Sequence, residues 1–569
     1  MERGEVKTFA GFTIGPIYET LSNSRKTREL WFASFFFSWF MEKIIEELSK
    51  NNGISFITPY VNKPFNPVKS TTGMYPDRFI LYSSLDRDEL FKLVKEATEK
   101  SEEFFIDIID KLVKDGYGSY IDGIDKNDVR EIFSWYIQKN FVVFDFNKDF
   151  DKETNIVSLI NRYLDSMEER RTFKTGINKE TCFVCKTLPA LIETDMEVKE
   201  AWSVYRGAKS KKKKEKLCPI CFLKYHSIHS TKVKEKVNDR NFKYPPLTDI
   251  AAVDLINAIG DESLTDLKDR DYDFEDLKKI YIDKYGNDEE VKEFVEKTYL
   301  KYFAIIQADG DNLGKIIGRL KNFEKVKDLS KSIFEFSKEA KEIIESFRGY
   351  PIYIGGDDIL AFSPVAFRDE NGNMRNVIEL AKELHSLYKE KITKFYNETS
   401  ISIGITISYY KFPLSKALEN TRYQLFNVAK KMEGKNRLSV QLIKHSGCRV
   451  DFSFKLNSDE INMFTQILSD VLSQKIKFPN TIHHNLSRFR KLISFITTEE
   501  RFDNFFDNNF NEPIHKSKVY SDGINQIKEY FKAVLLKSKE KEESIQDILN
   551  KLSFIKFLKG EETWQTHTL

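Results

Sequence analysis

The sequence feature that most constrains the fold is the stretch YPIYIGGDDILAFSP at residues 350–364. Two apolar runs flank a Gly-Gly pair and two adjacent carboxylates, Asp357 and Asp358. Short apolar runs joined by glycines predict a buried β-hairpin, and we expect Gly355 and Gly356 to form a type I′ turn. The two carboxylates would then lie near the end of the neighbouring strand.

A second acidic motif lies one β-α unit upstream. The segment KYFAIIQADGD predicts a buried strand that ends at Asp309, and the following residues predict a helix. Backbone N–H groups at such a turn, together with the helix N-terminus, can bind a phosphate, and glycines allow the backbone to approach it. We therefore expect a nucleotide-binding loop that consists of Gly310, Asp311, Asn312 and Gly314, with Gly355 and Gly356 of the hairpin.

The carboxylates of Asp309, Asp357 and Asp358 would repel one another at one sheet edge unless cations lay between them. Hard oxygen ligands select Mg²⁺ or Mn²⁺, and two such ions stabilise both the attacking and the leaving oxygen in phosphoryl transfer. The competing interpretation, a surface hairpin with solvated aspartates, is weakened by the second motif. The sequence thus predicts a two-metal site.

A basic segment further along the chain suits a nucleotide triphosphate. In FNVAKKMEGKNRLSV, Lys430 falls in a predicted helix, and Lys435 and Arg437 fall at a strand entrance. These cations could hold the triphosphate tail. The alternative is a basic helix end that only complements the helix dipole.

The chain has five cysteines, and four of them form two C-x-x-C pairs, CFVC and CPIC. This spacing favours a structural zinc site over a disulfide, with reduced core cysteines or a redox pair as the alternatives. His226 and His229 could replace one thiolate, but four thiolates already complete a tetrahedral shell. The predicted zinc ligands are Cys182, Cys185, Cys218 and Cys221.

The pattern of elements predicts an α+β multidomain chain, and an apolar content of 41% is sufficient for several cores. We expect two ferredoxin-like units, and the second has the order β-α-β-β-α-β-α-β with RLSVQLI as its last strand. The first lacks an acidic pair between its middle strands, where PYVNKPFNPVKSTTGMYPD is nearly free of acids. The predicted domains are the first unit (1–175), a zinc-binding helical module (176–294), the second unit (295–452) and a C-terminal helical bundle (453–569).

A net charge of +2 neither predicts nor excludes nucleic-acid binding, so any such binding must come from local patches. The run KSKKKKEK (209–216) is typical of a solvated loop, with nucleic-acid contact as the less favoured alternative. The segment SRKTREL is a candidate RNA- or partner-facing element, or else a solvated helix face.

No segment resembles a signal peptide or a membrane span. The most apolar run, LWFASFFFSWFMEKII, is too short and too soon charged to cross a bilayer, and we expect a buried helix there. We therefore expect a cytoplasmic protein without a membrane partner.

The ordered motifs resemble those of one family, the large palm-domain subunit of type III-B (Cmr-type) CRISPR effector complexes. Besides the acidic and cysteine motifs, the resemblance rests on IGPIYETLSNSRKTRELWFASFFFSWF, GMYPDRFI, YPPLTDIAA, SIGITISYYKFPLSKAL and GKNRLSVQLIKHSG. They follow one another in the family's order over nearly the whole chain.

This resemblance implies two palm domains of the nucleotidyl cyclase type, a zinc-bearing helical region between them and a C-terminal helical domain. It implies synthesis of an adenylate second messenger, cyclic oligoadenylate, from ATP after the guide-RNA complex pairs with target RNA. It also implies that Asp309, Asp357 and Asp358 hold two Mg²⁺ or Mn²⁺ ions, and that the first palm helps to bind the second nucleotide. The expected partners are the guide RNA, the target RNA and further Cmr-type subunits, contacted through the zinc module and the helical domains.

One departure from the family pattern concerns the N-terminal HD nuclease domain of many relatives. The chain begins at the palm signature and has no His-Asp dipeptide among its eight histidines, so we expect no HD nuclease activity. Some relatives without that domain join AMP to S-adenosylmethionine, which would make S-adenosylmethionine a co-substrate at the same GGDD site.

Two other functions compete with these. A diguanylate cyclase usually reads GG(D/E)EF, whereas Asp358 and Ile359 stand here in place of the Glu and the Phe. A scaffold with a catalytically inert palm is the non-enzymatic alternative, and an intact set of three carboxylates argues against it.

Overall fold

The structure is a computed structural model of the 569-residue chain. It describes residues 7–145, 155–170, 180–198, 211–260, 272–320, 322–477, 481–510, 517–538 and 540–559. The predicted domain limit at 175 lies outside the described residues.

Two β-sheets, of four and six strands, carry the first and the second α+β unit, and the described residues also form two smaller sheets, of three and two strands. The first half of the chain supplies the strands β1 (Thr8–Gly15), β2 (Ile54–Thr58), β3 (Arg78–Ser83), β4 (Ser119–Tyr120), β5 (Gln138–Asp145), β6 (Ile192–Val198) and β7 (Lys211–Leu217). The second half supplies β8 (Tyr302–Asp311), β9 (Tyr350–Gly355), β10 (Asp358–Pro364), β11 (Ala366–Arg368), β12 (Met374–Asn376), β13 (Ser400–Tyr409), β14 (Arg437–Ile443) and β15 (Arg449–Lys455).

The two large sheets share one plan. The first has the order β2-β3-β1-β5, and the second contains the corresponding order β9-β10-β8-β13, extended by β14 and β15. In both, the first strand of the unit lies between the third and the fourth and pairs with each of them antiparallel. This order is that of a ferredoxin-like fold, and it confirms the predicted fold class.

The second sheet does not end where the sequence analysis places its edge. RLSVQLI is β14, and β15 pairs antiparallel with its outer side. The predicted limit at 452 therefore falls inside a strand. The sequence RVDFSFK of Arg449–Lys455 alternates polar and apolar residues, and this alternation could have predicted the strand.

The helices of the first half are α1 (Ile17–Ser22), α2 (Thr27–Ser49), α3 (Arg87–Lys114), α4 (Lys126–Tyr136), α5 (Ile156–Glu168), α6 (Pro219–His226), α7 (Thr231–Val237), α8 (Leu247–Ala251), α9 (Val253–Ile259), α10 (Phe274–Tyr285) and α11 (Glu289–Val295). Those of the second half are α12 (Leu313–Arg319), α13 (Phe323–Ser346), α14 (Val377–Tyr388), α15 (Leu414–Tyr423), α16 (Asp459–Leu472), α17 (Thr481–Arg488), α18 (Arg490–Ser494), α19 (Glu499–Asn509), α20 (Ser517–Leu535) and α21 (Lys541–Lys559).

Helix α2 is buried on every side, as its apolar composition predicts. Its rings Trp31, Phe32, Phe36 and Phe40 are at most 2% exposed. The helix contacts α3 and β1 of its own unit, α6 of the cysteine module and β9 of the second unit. A helix that is apolar all round must be enclosed in this way, and α2 thereby joins three parts of the chain.

The basic run at 209–216 is not the predicted loop. Its described part is β7, which pairs antiparallel with β6. On one face of this hairpin Glu193 and Asp195 lie in register with Lys216 and Lys214. The acidic strand partly neutralises the basic one, which makes the alternative of nucleic-acid contact at this run weaker still.

The chain after β15 is helical, and within the described part of 456–559 it contains α16 to α21 and no strand. This confirms the predicted C-terminal helical domain. Among the described residues, no helix is both long and apolar enough to cross a membrane.

Candidate functional site

The acidic hairpin is formed by β9 and β10, in which Asp358 pairs with Gly355. The two turn residues are therefore Gly356 and Asp357, one position later than predicted. Gly356 has a φ of +71° and Asp357 has a negative φ. These signs fit a type II′ turn and not the predicted type I′ turn, because only the first turn residue needs a positive φ.

The turn is held from behind by α13. Ser337 Oγ donates a hydrogen bond of 2.7 Å to the carbonyl oxygen of Gly356. Gly355 must be small, because a Cβ there would lie 2.0 Å from the hydroxyl oxygen of Tyr353. The hairpin is thus rigidly placed at the sheet edge.

Strand β8 brings Asp309 to the same edge. Ile359 of β10 pairs with Ala308, the residue before Asp309. The next residue, Gly310, has no room for a side chain, because a Cβ would meet Asp357 Oδ2 at 2.5 Å. The structure therefore brings Asp309, Asp357 and Asp358 together, as the sequence analysis predicts.

The three carboxylates perturb one another. Burial, followed by the charge of Asp309, raises the pKa of Asp357 to about 6. Loss of solvation by burial, followed by the charges of Asp357 and Asp309, raises the pKa of the Asp358 carboxyl group well above its usual range. The residue taken as a whole is nevertheless exposed. Repulsion of this kind favours binding of cations, and the all-oxygen donor set fits Mg²⁺ or Mn²⁺.

Lys430 is the cation nearest to this cluster. Its ammonium forms an ion pair with Asp309 and donates a hydrogen bond of 2.9 Å to the carbonyl oxygen of Gly310. The Lys430 side chain is 15% exposed and that of Asp309 is 21% exposed. The pair is therefore reachable from solvent, and a phosphate contact by Lys430 stays a prediction.

Lys435 lies beside the predicted phosphate loop. Its ammonium donates to Asn312 Oδ1 over 3.3 Å. Gly434, Lys435 and Asn436 all have a positive φ, between 46° and 79°. Three consecutive left-handed residues store backbone strain, which is typical of functional loops. The contribution of Lys435 to nucleotide binding stays a prediction.

Asp311 does not have the position that a ligand contact requires. The residue is fully buried, and its carboxylate accepts hydrogen bonds from Ser400 Oγ (2.6 Å), Ser402 Oγ (2.8 Å) and the backbone N–H of Asn436 (3.1 Å). These partners argue against the predicted nucleotide contact. They indicate instead that Asp311 fastens β13 and the strained 434–436 turn to β8.

The remaining loop residues are less constrained. Asn312 has a φ of +63° and precedes the seven-residue helix α12. A Cβ at Gly314 would meet no atom within 4 Å, so packing does not require a glycine there. Nucleotide binding by Asn312 and Gly314 stays a prediction.

The sequence analysis missed a fourth carboxylate, Asp77 of the first unit. Its charge raises the pKa values of Asp358 and Tyr353. Burial in turn raises the pKa of Asp77 to about 6. Asp77 is the only acid of the acid-poor segment 59–77. Its isolation there was the one signal that could have singled it out.

The loop before Asp77 pairs directly with the acidic hairpin. The backbone N–H of Ile354 in β9 donates to the carbonyl oxygen of Gly73 over 3.0 Å. Gly73 packs on α2, because a Cβ there would lie 2.8 Å from Ser38 Cβ. The first unit thus supports the acidic site of the second through main-chain contact.

The four predicted zinc ligands form a cluster. The Sγ atoms of Cys182, Cys185, Cys218 and Cys221 all lie within 4.8 Å of one another, and Cys185 and Cys218 are 3.9 Å apart. A tetrahedral ZnS₄ centre with Zn–S bonds of about 2.3 Å has S···S edges of about 3.8 Å, so the donor set fits zinc.

The two histidines near the cysteines do not belong to that cluster. His226 Nε2 lies 2.8 Å from Thr194 Oγ1, and the ring is 5% exposed. Burial lowers the pKa of His226 to about 3. His229 stacks on Tyr117 with ring centroids 4.5 Å apart. Both are packing residues.

The basic segment SRKTREL contacts the cysteine module. Arg25 lies over the ring of Phe183 at 4.8 Å and donates to its carbonyl oxygen, and Arg28 lies over the ring of Tyr225 at 4.6 Å. Phe183 lies within the first cysteine pair, and Tyr225 follows the second by four residues. The segment therefore joins the first unit to the module, which accounts for its charge without an RNA partner.

Two family models match the chain. The model for the second palm domain of Cas10/Cmr2 matches residues 302–439, and the model for the N-terminal part of the CRISPR-associated protein Cmr2 matches residues 9–110. The first match contains the whole acidic cluster of the second unit and Lys430. The second contains Gly73 and Asp77.

The CRISPR system Cmr subunit Cmr2 of Pyrococcus furiosus is 23% identical to this chain over 562 residues. The similarity covers 77% of this chain and 62% of that relative. The chain therefore matches somewhat less than two thirds of the relative's length.

Two solved structures of the type III-B Cmr-beta are similar in fold. The apo state has a TM-score of 0.58 at 13% identity, covering 98% of this chain and 82% of the other. The state bound to cognate target RNA has a TM-score of 0.57 at 13% identity, covering 89% and 78%. This similarity is one of fold.

Proposed function

We propose that this chain, in which residues 9–110 and 302–439 match the models for the N-terminal part of Cmr2 and the second palm domain of Cas10/Cmr2, is the large subunit of an RNA-guided type III-B antiviral complex. Its GGDD site uses ATP to make an adenylate second messenger, cyclic oligoadenylate. The observation that carries this proposal is the convergence of Asp309, Asp357 and Asp358 at one sheet edge, with Lys430 ion-paired to Asp309.

The chemistry is nucleotidyl transfer. A ribose hydroxyl oxygen of the acceptor forms a bond to the α-phosphorus of ATP and releases its proton to solvent, the bond from that phosphorus to the β-phosphate oxygen breaks, and pyrophosphate leaves. Asp309, Asp357 and Asp358 would hold two Mg²⁺ or Mn²⁺ ions, which would supply the charge stabilisation that such a transfer requires.

The chain's own residues position the donor. Lys430 can exchange its ion pair with Asp309 for a contact to the triphosphate once cations neutralise that carboxylate. The strained turn before Arg437 keeps Lys435 beside Asn312 at the mouth of the loop. Gly310 allows Asp357 to approach the backbone. These contacts support binding of a triphosphate with its α-phosphorus near the hairpin.

The proposed partners are a guide RNA, its target RNA and further Cmr-type subunits. The support is the fold similarity to the Cmr-beta, one of whose structures is bound to cognate target RNA. The zinc-binding module and the C-terminal helices are the surfaces that we assign to neighbouring subunits.

The direct test is to assemble the complex with guide and target RNA, supply Mn²⁺ and labelled ATP with or without S-adenosylmethionine, and resolve the products by mass. We expect cyclic oligoadenylate from ATP alone. The Asp357→Asn/Asp358→Asn variant should lose at least about 100-fold in rate, because it removes the charges that hold the cations. Glu370→Gln is the matched control, because Glu370 has a 91% exposed side chain away from the site.

Three results would contradict the proposal. A product formed only when S-adenosylmethionine is present would replace cyclic oligoadenylate with an AMP conjugate. Absence of any product would leave a scaffold role. Full activity in the double variant would remove the assignment of the site to Asp357 and Asp358.

A further inference from the structure

Three lysines from the two palm units form a cationic surface along the seam between them. Lys63 belongs to the loop after β2, and Lys327 and Lys331 lie one helical turn apart on α13. We refer to these three residues as the lysine seam. Within the described residues none of the three forms an ion pair, although Asp328 and Glu335 lie on the same helix.

The position of Lys63 is built into the first unit. Its ammonium donates to the carbonyl oxygen of Ile54 (2.7 Å) and to Ser55 Oγ (3.0 Å), both on β2. Partial burial and the nearby charge of Lys327 lower its pKa. The charges of Lys63 and Lys327 therefore repel each other across the seam, which costs free energy that an anion would offset.

Aromatic rings alternate with these lysines. Lys327 lies over the ring of Tyr82 and Lys331 over the ring of Tyr60, each 5.9 Å from the ring centroid. Tyr60 also contacts Phe334, with centroids 6.0 Å apart. Cations for phosphates and ring faces for bases are the two components that sequence-tolerant binding of single strands requires.

A groove of about 480 Å³ continues the seam on the first unit. This volume lies in the range of about 300–1,000 Å³ that small-molecule sites occupy, and it is large enough for one nucleotide. The acid in its wall, Glu46, is paired with Lys43 at 2.8 Å. The groove is lined by residues that include Lys50, Asn52, Lys63, Pro64 and Phe65.

The seam lies close to the proposed catalytic hairpin. Ser337, which donates to Gly356, follows Phe334 by three residues on α13. A strand bound along the seam would therefore contact the helix that holds the GGDD turn from behind.

We propose that the lysine seam and the adjoining groove bind a single-stranded nucleic acid, with Lys63, Lys327 and Lys331 on its phosphates and the aromatic and proline faces against its bases. Single-stranded RNA and single-stranded DNA both offer a phosphodiester backbone with unpaired bases. The proposed RNA-guided role makes RNA the first ligand to test. The inference rests on the proposed function only for that choice.

The test measures fluorescence anisotropy of labelled U12 RNA and T12 DNA with the full-length chain, from 50 to 200 mM salt. The variant Lys63→Gln/Lys327→Gln/Lys331→Gln should raise the Kd about tenfold for whichever of the two oligonucleotides the unaltered chain binds more tightly. The slope of log affinity against log salt should become shallower by about 2, because each phosphate contact to a single strand contributes about 0.7. Glutamine keeps a hydrogen-bond donor at position 63.

The control variant Lys92→Gln/Lys95→Gln/Lys111→Gln removes the same charge from α3, where the three lysines are 60–77% exposed and lie near acids. Equal loss in both triple variants would overturn the proposal, because net charge alone would explain binding. Unchanged binding in the seam variant would also overturn it, as would no binding of either oligonucleotide by the unaltered chain.

Thermal unfolding of both variants checks that the fold is retained. The binding assay contains no ATP. A failure of the seam to bind RNA or DNA is therefore distinguishable from a failure of the adenylate synthesis proposed above.

Discussion

Asp309 and Asp311 lie two residues apart on β8, and the structure gives them opposite environments. Residues at this spacing point to the same face of a strand. The side chain of Asp309 is 21% exposed and lies beside Lys430, whereas that of Asp311 is fully buried among hydroxyl groups of β13. Their different surroundings, and not their residue type, assign one to the candidate site and the other to its support.

The Asp311→Ala variant should lose about 3 kcal/mol of stability, because it leaves the hydroxyls of Ser400 and Ser402 and the N–H of Asn436 without their acceptor. Denaturant unfolding followed by tryptophan fluorescence measures the loss. Glu370→Ala, at an exposed position, should be unchanged within about 0.5 kcal/mol. A variant as stable as the control would show that the buried carboxylate is not a structural support.

Asp77→Asn should change stability in a pH-dependent way. The pKa of Asp77 is raised to about 6, so its favourable contribution is complete below the ordinary value near 3.8 and is lost as the pH rises through 6. We therefore expect the variant to stabilise the chain at pH 7.5 by on the order of 1 kcal/mol, and to have little effect at pH 4. Thermal midpoints at the two pH values, without added divalent cations, measure this. An equal shift at both would contradict the assigned cause.

At the level of single elements, the helix that carries Lys430 is not a regular α-helix. After α15 the chain continues as a wider π-helical turn over Gln424–Ala429. This turn packs directly on β13, because a Cβ at Gly404 would lie 2.5 Å from the backbone nitrogen of Leu425. Such turns recur at functional sites, and this one sets where Lys430 meets Asp309. The sequence analysis predicts one uninterrupted helix, because side-chain periodicity does not reveal a single wider turn.

The cysteine module offers a test with an internal control. Cys218 is the N-cap residue of α6, and its sulfur accepts from the backbone N–H of Cys221. We expect one zinc per chain by elemental analysis, and Cys218→Ser should reduce that content to well below one half, because a thiolate ligand is lost.

Cys448→Ser should keep the full zinc content, because Cys448 is an exposed free cysteine outside the cluster. Equal zinc content in the two variants would contradict the four-thiolate site.

At the scale of the whole molecule, two of the contacts between the palm units lie on either side of the acidic cluster. One is the backbone hydrogen bond from Ile354 to Gly73. The other places the guanidinium of Arg422 over the rings of Tyr18 (4.3 Å) and Phe426 (4.8 Å). Tyr18 belongs to the first unit and the other two residues to the second, next to Lys430. The first unit has no acidic pair of its own, but it contacts the site of the second at both places.

The Gly73→Ala variant tests whether the first unit positions the proposed catalytic hairpin. An added Cβ would lie 2.8 Å from Ser38 Cβ and push the loop off α2 or away from β9. We expect a loss of about tenfold or more in the rate of ATP conversion by the assembled complex, because a displacement of about 1 Å is costly in a preorganised site.

Gly318→Ala is the matched control, because a Cβ there would meet no atom within 4 Å. A Gly73→Ala variant as active as this control, and equally stable, would show that the inter-palm pairing does not position the site.

The sequence by itself determined the features that depend on local pattern. Apolar runs, glycines and cysteine spacing placed the GGDD hairpin, the strand that carries Asp309, the buried helix α2 and the four-cysteine cluster, because each is encoded within a few neighbouring residues. The predicted end of that strand at Asp309 was wrong, because β8 continues to Asp311. The sequence analysis also misplaced the turn by one residue and missed β15, where the pattern is short.

Only the tertiary structure decided what depends on contacts between distant segments. It paired β6 with the lysine-rich β7, buried Asp311, brought Asp77 to the acidic cluster and joined Gly73 to Ile354. Burial, pKa and ion pairing are properties of neighbours in space, and these partners lie from 13 to 281 residues apart in the chain. The physical reason is that the periodicity of apolar residues predicts which face of a helix or strand a residue occupies. The pKa and the ion pairing of a carboxylate depend instead on the groups that pack against that face.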